Sequence, residues 1–122
     1  MYNYKIRPIK IIDGDTIDAE IDLGFDIKTK KRIRFMGINT PESRTRDLEE
    51  KARGLAAKDR VKQLLDGCDN ITLQSHGVGK FGRCLGELML DRVDGKEKLT
   101  LVSLNKLLIS EGHAVEYHGG KR

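Results

Sequence analysis

Ile17-Asp18-Ala19-Glu20-Ile21-Asp22-Leu23-Gly24-Phe25 alternates apolar and polar residues with hardly a break. A period of two puts Ile17, Ala19, Ile21, Leu23 and Phe25 on one face and Asp18, Glu20 and Asp22 on the other. The segment reads as a half-buried strand, and the rest of the fold is read outward from it. Before it, Asp13-Gly14-Asp15-Thr16 combines side-chain oxygens with backbone freedom, the makings of a tight hairpin turn. Residues 2–12 (YNYKIRPIKII) are rich in aromatic and β-branched types. There Tyr2, Tyr4 and Ile6 alternate, Pro8 interrupts, and Ile9 and Ile11 resume on the other parity. A strand bulged or bent near Pro8, at a sheet edge, accounts for both facts.

After it comes a third strand over about residues 29–38, which concentrates Lys28, Lys30, Lys31, Arg32 and Arg34. The lysines read as a solvated strand face that can add non-specific affinity for phosphate backbones. Residues 47–66 predict a long helix: Leu48, Ala52, Leu55 and Ala56, then Val61, Leu64 and Leu65, recur at helical spacing, and Gly67 is a natural stop. Residues 70–75 and 83–91 predict two further strands around a glycine-rich loop, 76–82, which matches no dinucleotide or P-loop spacing. Asp94-Gly95 marks another turn. Ser103 caps a second helix whose Leu104, Leu107 and Leu108 face the core and which Gly112 ends. Three strands, a helix, two strands and a helix show neither a parallel crossover pattern nor a repeat. The order predicts a mainly β, α+β fold: a five-stranded antiparallel barrel of the OB-fold type with two or three helices. An open α+β sheet is the alternative.

A chain of 122 residues suits one domain, expected over residues 1–117 with 118–122 as a flexible tail. The formal charge of +4 and isoelectric point near 9.1 are compatible with a polyanionic partner without requiring one. Cys68 and Cys84 fall in no metal or redox spacing and read as small packing residues in a reducing compartment. His76, His113 and His118 share no metal spacing either. No apolar run approaches the roughly 20 residues that span a bilayer, and the N-terminus lacks a signal-type apolar core. No membrane partner and a cytoplasmic location, in a bacterium or a phage, are therefore expected.

Chemistry concentrates in Arg34-Phe35-Met36-Gly37-Ile38-Asn39-Thr40-Pro41-Glu42. Strand composition gives way there to a polar segment that Pro41 stiffens, fixing its own φ and pushing Thr40 toward an extended conformation. In an antiparallel meander the turn before the second strand can lie beside the end of the third. Asp13 and Asp15 would then meet Arg34, Asn39, Thr40 and Glu42, with Arg83 as a second cation. Carboxylate, amide and carbonyl oxygens suit Ca²⁺ or Mg²⁺ and not zinc. Two arginines fit a phosphate, and with a carboxylate base the set has the parts for phosphodiester hydrolysis. Ordinary surface ion pairs at a strand end are the bland alternative.

Three segments in order, Asp13-Gly14-Asp15-Thr16, Arg34 with Asn39-Thr40-Pro41-Glu42, and Lys80-Phe81-Gly82-Arg83, resemble the motifs of the staphylococcal nuclease-like (thermonuclease) family. The resemblance extends over about residues 8–115 and includes Glu49, Lys51, Gly54 and Ala57 of the helix. It implies an OB barrel with helices and Ca²⁺-dependent hydrolysis of DNA and RNA that leaves 3′-phosphate ends, with Mg²⁺ a less favoured cofactor. Carried over, Asp15, Asn39 and the Thr40 carbonyl would be metal ligands, and Asp13 an outer-shell carboxylate. Glu42 would position or deprotonate the attacking water, while Arg34 and Arg83 would hold the scissile phosphate. Lys80 and Tyr117 would contact substrate. Accessible single strands of DNA or RNA would be preferred, since nothing resembles a base-reading helix, and no obligate protein partner is evident.

The sequence departs from the family where Asn39 replaces an aspartate, which implies a weaker metal site because ligand charge tunes calcium affinity. It also lacks a third helix after Tyr117, and its hairpin over 91–99 is longer. A catalytically silent OB-fold module that binds nucleic acid or protein is the rival reading. A purely structural domain is a third.

Overall fold

The computed structural model describes residues 2–66, 68, 70–78, 84–92 and 99–117. Gly67, the Asp94-Gly95 turn, most of the glycine-rich loop and the tail 118–122 lie outside them. Among the described residues the elements follow in the order β1 (Tyr2–Asp13), β2 (Thr16–Gly24), β3 (Ile27–Phe35), β4 (Ile38–Asn39), α1 (Leu48–Leu65), β5 (Asn70–Val78), β6 (Cys84–Arg92), β7 (Leu99–Ser103), α2 (Leu104–Ser110) and β8 (Val115–Glu116). The main sheet runs β3-β2-β1-β5-β6-β7, and an added β3–β6 pairing closes its first five strands into a barrel. That closed five-strand barrel with helices is the expected OB-type fold. Its closing seam is parallel, with Ile33, Arg34 and Phe35 opposite Cys84, Leu85 and Gly86; the neighbouring pairs are antiparallel. The short β4 and β8 form a separate two-stranded ladder.

The bulge in β1 falls where Pro8 predicts it. Pro8 is opposite Ala19 and Lys10 opposite Asp18, so Ile9 is an extra residue without a register partner. In β2, Ile17, Ala19 and Ile21 fill the barrel as the alternation requires, but Leu23 and Phe25 do not. The β2–β3 hairpin overhangs the barrel, and Phe25, at its tip with a φ of 54°, is 98% exposed. The outer face explains the basic run of β3: Asp18, Glu20 and Asp22 stand opposite Arg32, Lys30 and Lys28 in register. Arg32 hydrogen-bonds Asp18 at 2.8 Å and holds that carboxyl below its usual range.

The core joins the barrel interior to both helices through Phe35, Ile38, Val61, Leu64, Leu88, Leu90, Leu104 and Leu108. α1 begins at an Asp47 cap, whose carboxylate accepts from the backbone N–H groups of Glu49 and Glu50. Its second half buries Val61, Leu64 and Leu65 as expected, but its first half turns the other way. Leu48, Ala52, Leu55 and Ala56 face solvent, whereas Gly54, Ala57, Val61, Leu64 and Leu65 face inward. Small residues take the contact because the helix comes very close to the loops it covers. In α2, the Ser103 hydroxyl accepts from Lys106 N–H as a cap, and Leu104 and Leu108 are fully buried as expected. Cys68 and Cys84 pack against the core and are not joined in a disulfide.

Asn105, one position after Leu104, is buried as well. Its amide donates to the carbonyls of Met36 at 2.7 Å and Gly86 at 3.3 Å, and its oxygen accepts from Leu88 N–H at 3.3 Å. One side chain thus ties α2 to the end of β3 and to β6. Asn105→Leu keeps the volume but strands those backbone groups, and is expected to lower unfolding stability by about 2 kcal/mol in a urea titration.

Arg60 of α1 grips Glu111, just past α2, with bonds of 2.6 and 2.8 Å. The Arg60 hydrogen bond, above its charge, holds the Glu111 carboxyl below its ordinary value of 4.5. A depressed folded pKa gives stability that is present above the unfolded value and lost as pH falls through the folded one. Wild type is therefore expected to exceed Glu111→Gln by about 1 kcal/mol at neutral pH. The gap should close as pH drops below the ordinary glutamate range, measured as Tm against pH.

Candidate active site

The register of β2 on β3 builds the site. Thr16 is opposite Arg34, and Phe35 N–H donates to the Asp15 carbonyl at 2.8 Å. The β1–β2 turn is therefore fixed against the end of β3, the juxtaposition an antiparallel meander allows. Asp15 is only 6% exposed, so its charge needs partners. Its Oδ1 accepts from the Thr16 hydroxyl at 3.0 Å and its Oδ2 from Thr40 N–H at 3.2 Å, while Arg34 Nη2 lies 3.5 Å from Oδ2. Arg34, also largely buried, donates through Nη1 to its neighbour's carbonyl, Phe35 O, at 2.8 Å and through Nη2 to Asn39 Oδ1 at 2.5 Å. Asp13 accepts a short hydrogen bond from the Ser43 hydroxyl. Asp13, Asp15, Arg34, Asn39 and Thr40 thus come together across two chain reversals.

Two close approaches hold the Thr40–Ser43 segment in place. A Cβ placed on Gly54 would lie 2.5 Å from both the carbonyl carbon and oxygen of Glu42 and 2.6 Å from Ser43 N. A Cβ on Gly14 would lie 2.8 Å from Ala57 Cβ and 3.0 Å from Thr40 Cγ2. Helix, turn and polar segment meet there at backbone distance, which only glycine permits. Glu42, next to the stiff Pro41, presents its side chain to solvent at the rim.

The ladder of β4 on β8 flanks the other side, with Asn39 opposite Val115 and Tyr117 N–H donating to Gly37 O at 2.8 Å. Tyr117 is half-buried. Lys80 and Arg83 lie outside the described residues. Sequence reasoning missed two contributors, Ser43, which orients Asp13, and Asn105, which anchors Met36 two residues beyond Arg34. Ser43 follows Glu42 directly, but nothing in the sequence pairs it with Asp13.

Whether the group fits a divalent cation turns on its donors. Asp15 contributes one formal charge, Thr40 a backbone carbonyl, and Asp13 a second carboxylate nearby; hard oxygens of this kind suit Ca²⁺ or Mg²⁺. The Asn39 amide oxygen carries no charge and already accepts from Arg34. Among the described residues no three His, Cys, Asp or Glu side chains form a metal cluster. By its chemistry the donor set, oxygens with one buried carboxylate, is compatible with a hard cation and not with a soft one.

The model of the staphylococcal nuclease homologue family matches residues 32–122. Protein ParB of Escherichia coli is 27% identical over 116 residues, which cover 91% of this chain and 57% of that protein. The chain thus spans little more than half the length of this relative. The family match begins at Arg32, so the turn carrying Asp13 and Asp15 reaches the site through the fold. No helix among the described residues is long and apolar enough to cross a membrane.

Proposed function

The chain belongs to the staphylococcal nuclease homologue family, and from that premise we propose that it is a metal-dependent nuclease of low sequence specificity acting on DNA, RNA or both. The observation that carries this reading is a largely buried arginine, Arg34, held 3.5 Å from buried Asp15 beside the Thr40–Glu42 segment. A fixed guanidinium next to hard oxygen donors suits a phosphodiester and a divalent cation together.

In the reaction proposed, water adds to phosphorus and the bond from phosphorus to the 5′-oxygen breaks. The leaving oxygen takes up a proton and the phosphate remains on the 3′ side. Glu42, exposed at the rim, accepts the proton of the attacking water. Arg34, with Arg83 assigned by family resemblance, binds the phosphoryl oxygens and stabilises charge that grows on them. Asp15 and the Thr40 carbonyl would hold Ca²⁺, with Mg²⁺ less favoured, and the cation would supply charge neutralisation at the phosphate. Asp13, oriented by Ser43, adds negative potential behind them. Accessible single strands are the substrate this reading favours, with Lys80 and Tyr117 as further contacts.

One observation favours the rival, a silent module that binds nucleic acid or protein: Arg34 donates to Phe35 and Asn39, protein acceptors that a phosphate would have to displace or share. Cleavage of labelled single-stranded DNA in millimolar Ca²⁺ and in EDTA separates the two. Cleavage that EDTA abolishes, with 3′-phosphate products, is expected. Asn39→Asp is expected to tighten Ca²⁺ binding by about an order of magnitude, since it adds a ligand charge. A folded protein that binds strands and cleaves none in either metal would sustain the rival.

A further inference from the structure

The bulge in β1 has a second consequence on the outer surface. The extra residue, Ile9, is 48% exposed, whereas Ile6 and Ile17 of the same sheet are buried. Beside it an open groove of about 460 Å³ runs between β1 and α1, lined among others by Ile9, Lys10, Lys58, Lys62, Leu65 and Asp66. Its size falls within the roughly 300–1,000 Å³ of ligand sites. None of the three lysines forms an ion pair within 4.0 Å with a described residue; Lys10 stands opposite Asp18, which it helps to hold ionised, and Asp66 is the acid in the lining. The groove is therefore cationic at its rim and apolar along Ile9 and Leu65.

Its position relates it to the site. Lys10 lies on the strand that runs directly into the turn of Asp13 and Asp15. Lys58 follows Ala57, which packs against Gly14 of that turn. The groove and the site thus lie along the same two elements.

We propose that this groove binds the sugar–phosphate backbone of a nucleic-acid strand beyond the segment held at Arg34, a reading that rests on the nucleic-acid function above. Lys10, Lys58 and Lys62 take phosphates, and Ile9 and Leu65 take the apolar faces of sugars or bases. Charge complementarity selects the occupant. An anionic membrane calls for clusters of about four to eight cations on a juxtamembrane segment or helix, whereas three cations around a concave groove match a narrow polyanion.

The test uses the full chain carrying Lys10→Gln, Lys58→Gln and Lys62→Gln together, with the single variant Lys62→Gln in case the triple variant folds poorly. Binding is measured by fluorescence anisotropy in EDTA, with labelled single strands of about 20 and about 2 nucleotides, from roughly 50 to 200 mM salt. The triple variant is expected to weaken long-strand binding at least tenfold at the lowest salt. It should also reduce the slope of log K against log salt by about two, since each single-strand phosphate contact contributes roughly 0.7. The Lys62→Gln slope should fall by about a third of that. The advantage of long over short strands should shrink accordingly. Unchanged long-strand affinity and slope would overturn the proposal, as would a variant that keeps its strand affinity but loses binding to phosphatidylserine vesicles or an acidic peptide. Lysine-dependent strand binding by a wild type that cleaves nothing in Ca²⁺ would leave the groove standing and remove the nuclease.

Discussion

Glu42→Gln is expected to slow cleavage of single-stranded DNA by about 10²–10⁴-fold, the range that removing a general base produces, while Tm stays within a degree or two of wild type. The substitution changes a charge and one atom. The side chain is exposed at the rim, and the backbone beneath it remains fixed against Gly54. A loss confined to kcat, with strand affinity retained in EDTA, is the signature of a group that acts on the attacking water. A variant that keeps more than about a tenth of the wild-type rate would remove Glu42 from the role of base.

Gly54→Val is expected to lower stability by about 3 kcal/mol and to depress cleavage in the protein that still folds. The two effects have one cause. Any Cβ at position 54 falls 2.5 Å from the Glu42 backbone, and neither a helix nor a backbone carbonyl can yield by rotating a side chain. Overpacking of this kind costs about 1–3 kcal/mol or more, and valine adds the χ1 restriction of a branched residue in a helix. To relieve the clash, α1 must move off the Thr40–Ser43 segment, and Glu42 moves with it. Urea titration and single-turnover cleavage on the same preparation separate the two losses. Gly54→Ala is the milder case, since alanine recovers up to about 1 kcal/mol of helix propensity against the same contact. Equal stability and rate in Gly54→Val and wild type would show that the close packing of α1 does not set the position of Glu42.

The barrel was legible because its signals are local. Alternation marks β2, Asp13–Thr16 has the composition of a two-residue turn, and Pro8 announces the bulge. Where reading failed, the cause was tertiary. The alternation of β2 carries on through Leu23 and Phe25, although the barrel wall ends before them, and no local pattern records where a neighbouring strand stops. In α1 the larger apolar residues Leu48 and Leu55 suggested one face, but Gly54 and Ala57 mark the other because backbone approach there leaves room for nothing larger. β4 and β8 are two residues each, too short for any periodicity. β7, Leu99–Ser103, is an apolar stretch that reads equally well as the approach to α2. At the candidate site, Arg34, Asn39 and Thr40 stand out in one stiff polar segment and Asp15 in the β1–β2 turn, and the fold brings them together. Asn105 was not, since a polar residue between two core leucines gives no sign of which carbonyls it will meet.

The late arrival of β6 and Asn105 has a consequence for the chain while it is being made. Synthesis delivers the N-terminal elements first. A nascent chain that has emerged only as far as β5 already displays Asp15, Arg34 and Glu42. It has neither the β6 seam that pairs with Ile33–Phe35 nor the α2 amide that anchors Met36. The groups of the site therefore exist on the ribosome before the frame that aligns them. The proposed nuclease site is in this way kept unassembled for as long as the chain remains beside its own message.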